Sequence, residues 1–208
     1  MDSTARSFAI ATHGASGGLS RGCKSIGGFA MLEVLITLLI LLLGLLGLLG
    51  LMTRANTAEL ESYQRVQAVI LMRDMFNRIE SNRSVAGCYS NGTVGTQFGT
   101  GYADTPTCTL GSAAQNAQAV ADVTDWNALL LGSAETKGGN KIGAMIGARG
   151  CITQLDAANN IYMISVVWQG MTPTAAPKVT CGQGQYGATE TLRRAVTLTL
   201  RIGTLTSP

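Results

Sequence analysis

The sequence predicts an α+β fold in which one long N-terminal helix packs on a small antiparallel β-sheet. Three features lead to this prediction. An apolar run occupies residues 29–52, a stretch without glycine or proline follows over 54–83, and segments rich in β-branched residues appear after residue 141. A chain of 208 residues has room for one modest domain and an appendage.

The apolar run has the length and composition of a membrane-spanning helix. Glu33 is its only charged residue, and charged residues make up only 13% of the whole chain. A helix of this length would extend about 36 Å, which is enough to cross a hydrocarbon core of about 30 Å. Arg21 and Lys24 precede the run and are expected to stay in the cytoplasm, so that the C-terminal body lies on the outer side.

The helical pattern continues over residues 53–84 as an amphipathic half. Apolar residues at 3,4,3 spacing are typical of a helix that packs on a domain. The stripe contains Val69, Met72, Phe76 and Ile79, with Met75 on the same side, and the opposite side carries Arg73, Asn77, Arg78 and Glu80. Glu61 with Arg65, and Asp74 with Arg78, are predicted ion pairs four residues apart, each adding a few tenths of a kcal/mol.

Residues 85–140 are rich in glycine, serine, threonine, alanine and asparagine, and they predict a long loop region. One short helix is expected at 122–131, where Asp122 or Thr124 would cap the N-terminus. Four acidic residues lack the spacing of a calcium loop and are interpreted as surface and capping residues: Asp104, Asp122, Asp125 and Asp156.

The sheet is expected within residues 141–208. Alternation and β-branched residues predict three strands, at 142–155, 161–169 and 194–202, the first of them weakened by glycines. Asn159 and Asn160 would form the turn between the first two strands, and residues 170–189 a longer connection. The large aromatic residues Trp126, Trp168 and Tyr162 are expected to pack in the core rather than to form a ligand surface.

The segment from Gly27 to Glu33 reads Gly-Gly-Phe-Ala-Met-Leu-Glu, and it resembles the processing site of type IV prepilins and type II secretion pseudopilins. The resemblance implies the pilin fold and a leader at residues 1–28. It also implies cleavage between Gly28 and Phe29 by an inner-membrane prepilin peptidase and N-methylation of Phe29. The new terminus would lie one helical turn before Glu33, whose partner in the family is a neighbouring subunit.

A finer resemblance is to PilV-type minor pilins. It rests on the helical sequence of residues 71–79 with Asn82 and Arg83, on Val-Val-Trp-Gln at 166–169 and on the closing segment 193–201. Two departures are a long leader and the lack of a proline near the end of the apolar run, where Gly44, Gly47 and Gly50 stand instead. Those glycines either allow close helix approach or weaken the helix so that it unwinds on assembly.

Cleavage would leave four cysteines, because Cys23 lies in the leader. An even number outside the cytoplasm predicts two disulfides with three possible pairings, and local pairing is favoured. The predicted disulfide cysteines are Cys88, Cys108, Cys151 and Cys181. A metal site is the alternative, but the sequence has no CxxC spacing, and its single histidine, His13, also lies in the leader.

The mature chain would therefore contain no histidine, which excludes Ser-His-Asp, Cys-His and His-ligated metal sites. The full chain has a formal charge of +3, which falls to +1 without residues 1–28. So small a net charge does not indicate nucleic-acid binding. No enzyme activity, cofactor or metal is expected. A membrane-anchored enzyme and a receptor that uses residues 85–140, such as a pilus-tip adhesin or a DNA-uptake subunit, are less favoured alternatives.

The expected function is that of a minor pilin, which primes or caps a type IV pilus and supports twitching motility and adhesion. The resemblance implies other minor pilins, the major pilin, the prepilin peptidase and the inner-membrane assembly platform as partners. The expected location is the bacterial inner membrane, with a single pass and the domain 85–208 in the periplasm, and then the pilus. A minor pseudopilin of a type II secretion system is the alternative.

Overall fold

The computed structural model describes residues 29–134, 136–141 and 145–203. The predicted leader, with Gly28 and the basic residues before it, lies outside the described residues. The chain divides into two compact units, Met1–Gly50 and Leu51–Pro208. The described structure is a long apolar helix followed by a five-stranded antiparallel sheet with a second helix, which confirms the α+β prediction.

Helix α1 spans Phe29–Ser81 and therefore includes both the apolar run and the amphipathic half. It ends three residues before the predicted boundary at residue 84. At Asn82 the backbone leaves the helical conformation (φ −118°, ψ 36°), and the side-chain amide donates a hydrogen bond to the carbonyl oxygen of Gln115 at 2.9 Å. A 3₁₀ helix, Arg83–Tyr89, follows.

The main sheet contains the strands β1 (Thr96–Gly99), β2 (Tyr102–Ala103), β5 (Arg149–Asp156), β6 (Ile161–Gln169) and β7 (Arg193–Arg201), and the strands β3 (Thr136–Lys137) and β4 (Asn140–Lys141) form a separate two-stranded sheet. The strand order of the main sheet is β2-β1-β5-β6-β7, and every neighbouring pair is antiparallel. Asn160 has the positive φ of 50° that the turn between β5 and β6 requires.

The prediction of a long loop over residues 85–140 was wrong. This region contains the 3₁₀ helix, four short strands and the helix α2 (Ala113–Leu130), which begins nine residues before the predicted start. Ser112, not Asp122 or Thr124, is the N-cap, and it forms a capping box with Gln115. The helix can start there because this reciprocal pair satisfies the first free backbone N–H groups.

The first predicted strand, at 142–155, was placed too early. Residues 142–144 lie outside the described residues, and β5 begins at Arg149. Gly150 of β5 has a packing role, because a methyl group at this position would lie 2.6 Å from Cζ3 of Trp126 and 2.8 Å from Cδ1 of Leu130. Gly150 is therefore a point of close contact between α2 and the sheet.

One hydrophobic core joins the amphipathic half of α1, α2 and one face of the sheet. Trp126 is fully buried at its centre and meets the ring of Phe98 edge-on, with centroids 5.7 Å apart. Trp168 and Tyr162 are also buried, as predicted for core residues. A smaller cluster of Cys151, Val167, Cys181 and Tyr186 lies around the second disulfide.

Candidate assembly helix

The first part of α1 exposes its apolar side chains. Every side chain from residue 31 to 50 is exposed. An 18-residue window of α1 has a mean hydropathy of 3.0 and no buried residue, so by length and composition the helix can cross a membrane. So large an exposed apolar surface requires a lipid or protein covering.

Glu33 is the one ionisable residue in this apolar segment. Its side chain is exposed on α1, and among the described residues it takes part in no ion pair. A carboxylate at membrane depth costs about 2.5–3.5 kcal/mol on insertion scales. This cost gives Glu33 a strong electrostatic preference for a cationic partner.

The three glycines of the apolar segment are needed by no neighbour within the described chain. A methyl group on Gly44, Gly47 or Gly50 would meet nothing within 4 Å, and α1 is helical through all three. Neither close approach of a second helix nor unwinding is visible in a single chain, so both interpretations remain predictions.

The second part of α1 forms the contact with the domain. Ala68, Met72, Met75 and Ile79 are buried, whereas Val69 and Phe76 are only partly buried. The buried stripe is therefore centred on Met72 and Met75 rather than on Val69 and Phe76. The indole N–H of Trp126 donates to the backbone carbonyl oxygen of Leu71 at 2.9 Å, which fixes α2 on α1.

Arg78 does not face solvent as the helical pattern predicted. Its guanidinium contacts Asp74 at 2.7 Å, which is the predicted pair, and also Asp122 at 3.2 Å. Asp122, predicted to be a surface or capping residue, is buried within α2 and accepts a hydrogen bond from the hydroxyl of Tyr89 at 2.5 Å. Burial, together with this hydrogen bond, raises the pKa of Tyr89 above its ordinary value. The end of α1 is thus tied to α2 by a partly buried polar network.

Glu61 also differs from its predicted pairing with Arg65. One of its carboxylate oxygens, Oε1, accepts hydrogen bonds from the backbone N–H groups of Met171 and Thr172 at 2.9 and 3.0 Å and from the Thr172 hydroxyl at 2.9 Å. The same oxygen contacts Arg194 at 3.2 Å. Glu61 therefore ties the β6–β7 connection to α1, a long-range contact that helical spacing does not reveal.

Two disulfides fix the segments outside the helices. The structure joins Cys88 to Cys108, with Cα atoms 4.9 Å apart, and Cys151 to Cys181, with Cα atoms 5.9 Å apart. This is the local pairing that the sequence favoured. The second bond holds the connection between β6 and β7 against β5. In the part of the chain that the structure describes, no cluster of three or more histidine, cysteine, aspartate or glutamate residues could hold a metal ion.

A family model named Tt1218-like, described as Type IV pilin Tt1218, matches residues 50–124. The match supports a type IV pilin. It covers the packed part of α1 and continues into α2, about a third of the chain. Pilins are structural subunits rather than enzymes, and the family implies assembly with other pilins into a pilus. No curated protein and no solved structure matches the chain significantly.

Proposed function

We propose that the protein is a minor pilin of a type IV pilus and that it joins the pilus through its N-terminal helix to prime or cap assembly. The observation that carries this proposal is a lone carboxylate, Glu33, in the exposed apolar segment of α1. The sequence just before it, Gly28-Phe29, has the form of a prepilin cleavage site. The family match to residues 50–124 supports a type IV pilin independently of that motif.

The proposed mechanism begins with processing. Prepilin peptidase cleaves between Gly28 and Phe29, and the new amine of Phe29 is methylated. In the membrane, Glu33 pairs with the N-terminal amine of a neighbouring subunit. Because an unpaired charge in lipid is costly, this pairing favours one axial offset between subunits as the apolar helices leave the bilayer.

The proposed partners are other minor pilins, the major pilin and the inner-membrane assembly platform. The subunit waits in the inner membrane with its C-terminal domain in the periplasm, and twitching motility and adhesion follow from the assembled pilus. The matching family is described as a type IV pilin, which gives the alternative of a type II secretion pseudopilin no support.

The test is incorporation into sheared filaments. Glu33→Ala is expected to lower incorporation at least about tenfold. An unpaired charge in lipid costs about 2.5 kcal/mol or more, and the variant no longer gains the relief of that cost when it pairs with a neighbouring subunit. Glu59→Ala is the matched control, since Glu59 is an exposed acid on the same helix. Both variants should reach the membrane in wild-type amounts. Unchanged incorporation of Glu33→Ala would rule out the mechanism.

A further inference from the structure

A groove runs along α1 just beyond the apolar run, within the unit Leu51–Pro208. It has two hollows that share Ala58 and Glu61. The first has a volume of about 350 Å³ and is lined by Thr53, Arg54, Thr57, Ala58, Glu61 and Thr172. The second, of about 340 Å³, is lined by Ala58, Glu61, Ser62, Arg65, Trp168 and Arg194. Opposite α1, the first hollow is lined by Thr172 of the β6–β7 connection and the second by Trp168 of β6 and Arg194 of β7.

The groove carries an uncompensated positive charge. Its ionisable residues are three arginines and one glutamate, and Glu61 is already paired with Arg194. Arg54 and Arg65 take part in no ion pair among the described residues. Since Oε1 of Glu61 already accepts from Met171, Thr172 and Arg194, the guanidinium groups of Arg54 and Arg65 are left to attract an anion.

Along α1, Arg54 lies close to the end of the run 29–52 that is proposed to span the membrane. Arg54 follows Met52 by two residues, or about 3 Å along the helix axis, and Glu61 follows it by about 13 Å. The headgroup layer of one leaflet is about 5–8 Å thick. Arg54 is therefore within that layer, and Thr172 borders the same hollow.

The wall opposite Arg54 suits a membrane surface. Residues 170–177 contain no charged side chain, and Met171 is 46% exposed even though its backbone N–H is bound to Glu61. This uncharged segment, with its exposed methionine, reaches the hollow of Arg54 through Thr172, so that apolar and cationic groups lie on neighbouring elements.

We propose that this groove binds the phosphate of an anionic phospholipid in the outer leaflet of the inner membrane, with Arg54 as its principal ligand. Guanidinium groups match phosphate oxygens in geometry as well as charge. Arg65 adds positive charge above the site, and Glu61 keeps the β6–β7 connection in place as its second wall. The proposal rests on the proposed function only in that α1 spans the membrane before assembly.

The test is native mass spectrometry of the full chain, released from nanodiscs that contain equal amounts of phosphatidylglycerol and phosphatidylcholine. The wild-type protein is expected to retain more phosphatidylglycerol than phosphatidylcholine. Arg54→Gln should lower that preference about fivefold, the effect typical of one basic residue near an anionic surface. Arg73→Gln removes the same charge from an exposed site farther along α1 and should leave it unchanged.

Equal retention of the two lipids, or equal preference in the wild type and Arg54→Gln, would overturn the proposal. A third contrary result is lower filament incorporation of Arg54→Gln with unchanged lipid preference, since it would assign the groove to an acidic side chain of a neighbouring subunit. The lipid measurement uses unassembled protein, so it is independent of the outcome of the Glu33→Ala experiment.

Discussion

Glu61 shows how a single side chain links the long helix to the sheet. Burial opposes its ionisation, but hydrogen bonds from Thr172 and Met171 and the charge of Arg194 outweigh that effect and lower the pKa of Glu61 below its ordinary value of 4.5. A carboxyl group with a lowered pKa in the folded state stabilises the fold above its unfolded pKa. This contribution is lost as the pH falls through the folded value.

Glu61→Gln is therefore expected to lower the free energy of unfolding by about 1 kcal/mol at pH 7, allowing for the partial exposure of the side chain. The difference in the free energy of unfolding between the variant and the wild type should have its full size above about pH 4.5 and become smaller as the pH falls further. Urea unfolding of the full chain in detergent, measured between pH 7 and pH 3, provides the comparison.

The matched control is Glu59→Gln, because Glu59 is exposed two residues away on the same helix. It should change the free energy of unfolding little at any pH. A Glu61→Gln deficit that stays constant down to pH 3, or an equal deficit in Glu59→Gln, would show that the hydrogen bonds of Glu61 do not stabilise the ionised form.

At the scale of elements, Gly150 decides how closely α2 approaches β5. Alanine normally suits a strand better than glycine, but here its methyl group would overlap the Trp126 ring. Gly150→Ala is expected to lower the free energy of unfolding by about 2–3 kcal/mol through overpacking. Gly203→Ala, where a methyl group meets nothing within 4 Å, is the control in the same urea experiment and should be nearly neutral. Equal effects would contradict the packing argument.

Elements with strong local signals were predicted from the sequence. The apolar run, the amphipathic half of α1 and the strands β6 and β7 all lie close to where they were predicted, and β6 has the predicted bounds, Ile161–Gln169. The first half of α2 lacks large apolar residues and was missed, although the capping box of Ser112 and Gln115 was a local signal for its start.

Other features have no local signal. The strand β1 contains one large apolar residue, Phe98, and it forms because Phe98 pairs with Gly150 in a distant strand. For the same reason the predicted partner of Glu61 was wrong and that of Arg78 was incomplete. Their partners Arg194 and Asp122 lie far away in sequence. Helical spacing reveals neighbours on one helix but not the residues that another element brings to it.

At the scale of the molecule, α1 has two chemically different parts. From residue 31 to 50 its side chains are exposed and almost all apolar, whereas Met72, Met75 and Ile79 are buried in the core of the domain. The fold needs only the second part. The exposed part is therefore available for a membrane and, in the proposed function, for neighbouring subunits.

The most direct test of this account is the N-terminus of the mature protein. Mass spectrometry of the subunit recovered from filaments should find a chain that begins with N-methylated Phe29, which places the new amine one helical turn before Glu33. Filaments that contain the subunit with residues 1–28 still attached would contradict the account, because no amine would then be available to pair with Glu33.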